Sequence, residues 1–204
     1  MARLILASSS PRRRELMLHA GYEFQVRAPS HEAEVNAPTI ADPEQLVLDL
    51  AHRKGQDVVG QVLGRGAGAA WVLSADTIAE YQGRVLGKPD DSADARRMLS
   101  LLSGTRHHVL TGVTLWNTAS AGAPVEAIVA KTTLQMDELT PEWIESYLAS
   151  GQWEGKAGAF GYQDGIGVLR VVEGSESNVV GLPMEECDRM LQQHAHLIPR
   201  AQDS

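Results

Sequence analysis

Apolar residues recur along this chain with two periods, one of strands and one of helices. Leu4-Ile5-Leu6-Ala7 is an unbroken apolar run that stops at three serines and Pro11, the pattern of a buried strand entering a loop. Residues 11–19 then take helical spacing. Ser10 stands at the N-cap, Pro11 at the first helical position, Leu16 and Ala20 face inward, and Gly21 is the stop. Phe24, Val26 and Ala28 alternate with polar neighbours and predict a second strand, and residues 29–39 read as a polar loop carrying His31, Glu32 and Glu34. Asp42-Pro43 caps a long helix with Leu46, Leu50 and Val58 on one face and Lys54 near its middle.

The second half alternates the same signals. After a glycine-rich break at residues 64–68 comes Ala70-Trp71-Val72-Leu73-Ser74-Ala75-Asp76-Thr77-Ile78, an apolar run interrupted by an acid. Gln82-Gly83 turns a hairpin that ends at Gly87-Lys88-Pro89, and residues 92–102 place Ala95, Met98, Leu99 and Leu102 on a helix face. Strand-rich stretches at 107–116 and 124–135 precede a helix from Thr140-Pro141-Glu142 to Leu148. A glycine-rich segment leads to a strand at 168–172, and Pro183 opens a last helix to about His194. Helices and strands interleave, so the fold class is mixed α/β. Residues 1–195 are expected to form one domain, with a strand-rich sub-lobe near 105–136 and a tail at 196–204.

Composition narrows the function. The chain has 204 residues, 43% hydrophobic and 22% charged, which excludes disorder and fibrous repeats. Its net charge of −8 repels phosphate backbones over long range, so no nucleic-acid partner is expected. One cysteine, Cys187, cannot form an intrachain disulfide and suits a reducing compartment. The first residues carry too short an apolar run for a signal peptide, and no stretch is long enough to span a bilayer. The expectation is a soluble cytoplasmic protein without a membrane partner.

Several segments carry candidate chemistry. Ser8-Ser9-Ser10-Pro11-Arg12-Arg13 gathers hydroxyls, backbone N–H groups and guanidinium groups at a strand-to-helix junction, which suits an anion site or, equally, a capped surface helix. No Gly-x-Ser-x-Gly elbow accompanies these serines. Asp76, at the end of an apolar strand, needs a cation or donors beside it, either for chemistry or as a cap on the next turn. Gly64-Arg65-Gly66-Ala67-Gly68 follows a helix and precedes a strand, the reverse of a dinucleotide fingerprint, and reads as a loop. His107 and His108 point to opposite faces of a strand and make a poor metal pair. His194 and His196 read as solvated, and Cys187 as a packed thiol.

Taken together in this order, five segments resemble the Maf family of nucleoside triphosphate pyrophosphatases. They are Ala7-Ser8-Ser9-Ser10-Pro11-Arg12-Arg13-Arg14-Glu15-Leu16, Ser74-Ala75-Asp76-Thr77, Gly87-Lys88-Pro89, residues 155–163 (Gly-Lys-Ala-Gly-Ala-Phe-Gly-Tyr-Gln) and residues 177–183 (Ser-Asn-Val-Val-Gly-Leu-Pro). The resemblance implies an ITPase-like α/β fold, a mixed central sheet flanked by helices with a ligand cleft, in a homodimer. It also implies hydrolysis of a nucleoside triphosphate to the monophosphate and pyrophosphate with a divalent cation, Mg²⁺ or Mn²⁺. By the same resemblance, Asp76 corresponds to the catalytic base and metal ligand. Arg13, Lys54 and Lys88 correspond to phosphate-binding cations, and Ser8 belongs to the substrate loop. Arg12, Thr77 and Gln163 resemble the dTTP/UTP subgroup rather than the 7-methyl-GTP subgroup. One position departs from the pattern. The family's loop acid falls on Ala33 in an ungapped match, so Glu32 or Glu34 supplies it instead.

Overall fold

The computed structural model describes residues 3–34, 40–66, 68–120, 122–162 and 167–197. Strand β1 (Leu4–Ala7) runs parallel to β3 (Trp71–Tyr81), pairing Leu4 with Trp71 through Ala7 with Ser74. The short β2 (Gln25–Val26) lies parallel on the outer side of β1. On the other side β3 pairs antiparallel with β5 (Arg106–Asn117), β5 with β6 (Glu126–Met136), and β6 with β7 (Leu169–Glu173). The order β2-β1-β3-β5-β6-β7 is therefore a mixed sheet, with β4 (Arg84–Leu86) folded back as a hairpin on β3.

Alternation along the strands divides the core between two faces. Leu4, Leu6, Leu73, Ala75, Val113 and Leu115 pack on Met17 of α1 (Pro11–His19) and on Cys187, Met190 and Leu191 of α7 (Met184–Ala195). Ile5, Ala7, Val72 and Trp116 point the other way, onto Val58, Val59 and Val62 of α3 (Pro43–Gly64). Beyond the β4 hairpin, α4 (Ser92–Leu102) and α5 (Pro141–Ala149) close a separate cluster around Ala79, Leu86 and Met136. Each fully buried large aliphatic here contributes about 1.5–3 kcal/mol, so these three clusters set the strand positions firmly.

Most expected elements are present, with instructive differences. Ser10 caps α1 by accepting from the Arg13 N–H, with Pro11 at the first helical position and Gly21 at φ +77° after it, as the pattern required. The buried stripe of α3 is Val47, Ala51, Gly55, Val58, Val59 and Val62, one position off the Leu46/Leu50 reading, with the leucines left at its margin. Within the polar loop, His31–Glu34 form a single helical turn, α2, because Ala33 is buried. A second short helix, α6 (Glu176–Val180), lies between β7 and the last helix. His194 is not simply solvated: its Nε2 lies 2.7 Å from Glu126 on β6, which also holds Arg189. His107 is buried while His108 pairs with Glu80, so the two rings do face opposite sides.

Candidate active site

The opening in the sheet arises from how β3 is shared. One edge of β3 is paired with β5 from Trp71 to Glu80, whereas the other is covered by β1 only as far as Ser74 and by β4 only from Ala79. Residues 75–78 thus have no strand partner on that edge among the described residues. The gap lies beyond the carboxyl end of the parallel strand β1, where α/β sheets place ligands. Asp76 and Thr77 sit in the middle of it, and both are only partly covered in a strand otherwise buried from Val72 to Glu80.

Asp76 points to the α3 face. There it forms an ion pair with the Lys54 ammonium, with the two side chains 13% (lysine) and 16% (aspartate) exposed. Lys54 reaches this point because α3 lies unusually close to the sheet. A Cβ on Gly55 would come within 2.2 Å of Trp116 Nε1 and 2.6 Å of Ser74 Oγ, and a Cβ on Gly112 within 2.5 Å of the Val47 carbonyl. Ser74 Oγ donates to the Ala51 carbonyl at 2.8 Å and fastens the same contact.

Thr77 points to the opposite face, where α1 and α6 meet. Arg13 is buried there and divides its guanidinium between three segments. Nε donates to the Gly181 carbonyl at 2.7 Å, Nη2 to Thr77 Oγ1 at 2.9 Å and Nη1 to Ser8 Oγ at 3.4 Å. Gly181 has φ +124°, a backbone conformation that side chains rarely adopt, so the turn needs a glycine. Ser8, Arg13 and Thr77 therefore form one bonded group on one side of the β3 edge, and Lys54 with Asp76 form another on the far side.

The remaining expected residues are placed less directly. Lys88 is exposed on the segment after β4, and the Gly87 carbonyl beside it accepts from the Gly158 N–H at 3.0 Å, tying two of the recognised segments together. Arg12 is half-buried on the first turn of α1. Glu32 is exposed on α2; only the backbone of Glu34 is described, and Gln163 lies outside the described residues.

Asp57 was not apparent from the sequence as a supporting group. Burial by itself would raise its carboxyl, but hydrogen bonds from Ser30 N (2.9 Å), Ser30 Oγ (2.7 Å) and Gln61 Nε2 (2.7 Å) hold it below the ordinary carboxylate range. It pins the start of α2 to α3 one turn after Lys54, and a separation of 27 positions leaves no local signal of the pairing. Asp76 is chemically suited to a hard cation, since Mg²⁺ is commonly held by one or two carboxylates together with substrate phosphates. No group of three His, Cys, Asp or Glu among the described residues makes a metal site by itself.

Comparison with known proteins identifies the family. A dTTP/UTP pyrophosphatase of Rhodopirellula baltica is 46% identical over 190 residues, covering 93% of this chain and 81% of that protein. A dTTP/UTP pyrophosphatase of an Anaeromyxobacter species is 42% identical over 200 residues, covering 97% and 92%. Among solved structures, a HAM1 protein from Coxiella burnetii aligns with a TM-score of 0.49 at 14% identity, covering 95% of this chain and 100% of that one. The family model described as Maf-like protein matches residues 3–194, and with that span and those relatives the chain belongs to the Maf family.

Proposed function

We propose that this protein hydrolyses dTTP and UTP to the nucleoside monophosphate and pyrophosphate. The observation that carries the reading is the pair of bonded groups on either side of the unpaired β3 segment. A triphosphate lying across that edge meets Lys54 and Asp76 on one face and Arg13, Thr77 and Ser8 on the other. The named relatives, both dTTP/UTP pyrophosphatases, support the substrate class.

In this reading Asp76 takes the proton from a water that attacks the α-phosphorus. The bond from that phosphorus to the oxygen bridging it to the β-phosphorus breaks, and the electron pair leaves with pyrophosphate. Lys54 orients the Asp76 carboxylate, while Arg13, with Lys88 from its exposed segment, neutralises the phosphate tail and the charge developing on the leaving group. A bound Mg²⁺ or Mn²⁺ supplies further neutralisation and a polarised water; Asp76 would hold it together with the phosphates and a carboxylate of α2, from Glu32 or Glu34. Arg12, Thr77 and Gln163 set base preference, since a glutamine amide both donates to and accepts from a pyrimidine edge. The same reading takes residues 1–195 as one catalytic domain and the protein as a cytoplasmic homodimer. Among the described residues no helix is long and apolar enough to cross a membrane.

Pyrophosphate release by the purified protein with Mg²⁺, across a panel of nucleoside triphosphates, tests the assignment. A buried polar group left unpaired by the wrong base costs about 1–3 kcal/mol, so dTTP and UTP are expected to exceed ATP and 7-methyl-GTP by at least about fivefold in kcat/KM. A preference for 7-methyl-GTP would overturn the subgroup, and binding without turnover of any of them would make the protein a nucleotide-binding regulator.

A further inference from the structure

The segment Ser177-Asn178-Val179-Val180-Gly181 does more than close a turn. Asn178 is 1% exposed, and its Nδ2 donates to Thr132 Oγ1 at 2.9 Å, to the Val109 carbonyl at 3.2 Å and to the Ala130 carbonyl at 3.5 Å, spanning the seam between β5 and β6. Its backbone carbonyl accepts from Thr111 Oγ1 at 3.3 Å and from the Gly181 N–H at 3.0 Å. Thr111 in turn lies opposite Thr77 in the β3–β5 register, hydroxyl to hydroxyl at 3.0 Å. Two routes therefore run from Asn178 to the same guanidinium, one through Gly181 to Arg13 Nε and one through Thr111 and Thr77 to Arg13 Nη2.

The chemistry favours orientation over stability as the reason for this residue. Asn178 Oδ1 is buried and accepts no hydrogen bond among the described residues, a cost that an apolar side chain would avoid. What an apolar side chain would not do is fasten a five-residue helix at a fixed height above two strands. A guanidinium is planar, with donors in a fixed fork, so two anchors set its plane as well as its position.

We propose that Asn178 is a positioning residue for Arg13, holding the guanidinium plane through the Gly181 carbonyl and the Thr77 hydroxyl in the orientation that meets the phosphates. The inference rests on the reading of Arg13 as a phosphate-binding cation. Small misplacements of a positioning group cost catalysis heavily, so Asn178→Ala is expected to lower kcat/KM for dTTP roughly 10- to 100-fold.

The test is a double-mutant cycle with Arg13→Lys, which keeps the charge but has no fork. If Asn178 acts through Arg13, adding Asn178→Ala to Arg13→Lys costs little more than Arg13→Lys alone, and the Arg13 Nε–H signal in ¹⁵N-labelled protein moves in the single Asn178→Ala variant. Equal losses in both backgrounds, or an unmoved Nε–H signal, overturn the proposal. Should Asn178→Ala fail to fold, Thr132→Val removes the acceptor nearest Nδ2 with little change of shape, and the same cycle and the same two outcomes apply. An Arg13→Lys enzyme with full activity would show that the fork's orientation is not needed and overturn the proposal, while full activity of Arg13→Met, which removes the charge, would remove Arg13 from phosphate binding itself; both differ from equal losses, which leave Arg13 in place and remove Asn178 alone.

Discussion

At the scale of single residues, Asp76 and Thr77 are neighbours in sequence with separate partners. Alternation along β3 turns one side chain to Lys54 and the other to Arg13, so a substitution at one leaves the bonds of the other in place. Asp76→Asn keeps the shape but loses the basicity and the charge. We expect kcat to fall by roughly 10²–10⁴-fold, the range of general acid–base catalysis, with an unfolding midpoint close to that of the wild type. A folded variant releasing pyrophosphate at the wild-type rate would take Asp76 out of the mechanism.

At the scale of elements, two of the glycines of α3, both in its interior, carry opposite expectations. Gly60 is exposed and a Cβ there meets nothing within 4 Å, so Gly60→Ala is expected to gain up to about 1 kcal/mol of helix propensity and leave turnover unchanged. Gly55→Ala gains the same propensity, but its Cβ lands on Trp116 and Ser74. Neither can yield cheaply, since Trp116 Nε1 donates to Thr114 at 2.7 Å and Ser74 Oγ to Ala51 at 2.8 Å. Overpacking of about 1–3 kcal/mol outweighs the gain, and lifting α3 also draws Lys54 from Asp76. Thermal unfolding and kcat/KM of the two variants are expected to move apart, Gly60→Ala up in midpoint and Gly55→Ala down in both; a Gly55→Ala protein as stable and active as wild type would mean that the close approach of α3 is dispensable.

At the scale of the whole molecule, His107 ties stability to pH. It is 3% exposed on β5; burial, with His108 adding to it and Glu80 opposing, pushes its pKa down to about 4. The unfolded chain protonates this ring near its ordinary value of about 6.5 while the folded chain does not. Its contribution is therefore fully present above about pH 6.5 and is lost as the pH falls from there to about 4, amounting to about 3 kcal/mol over the window. Urea unfolding at about pH 7.5 and about pH 5 is expected to show a smaller loss of stability for His107→Phe than for wild type. Identical losses in the two proteins would assign the pH dependence to other groups. Cys187, buried on α7 with its thiol pushed up by burial, is expected to stay unreactive across the same range.

The order of elements, the caps of α1 and α3 and the identity of the chemical segments were legible in the sequence because each depends on neighbours a few residues apart. Ser10 before Pro11, Asp42 before Pro43 and the acid interrupting an apolar strand are local signals, and five of them in order pointed to the family. Tertiary structure decided what those segments do to one another. The β4 hairpin, which covers β3 only from Ala79, is local, but that β1 covers β3 only as far as Ser74, leaving the edge open at Asp76 and Thr77, depends on pairing between strands more than 60 residues apart and is written in neither. The burial of Arg13, whose segment by its residues suits an anion site and a capped surface helix equally, follows from Gly181, 168 residues away, offering a carbonyl. Asp57 with Ser30, and Asn178 with Thr132, are likewise pairings of ordinary polar residues, which hydrophobic periodicity does not register. Local spacing fixes which face of an element is apolar, whereas the partner of a buried polar group is chosen only when the elements pack.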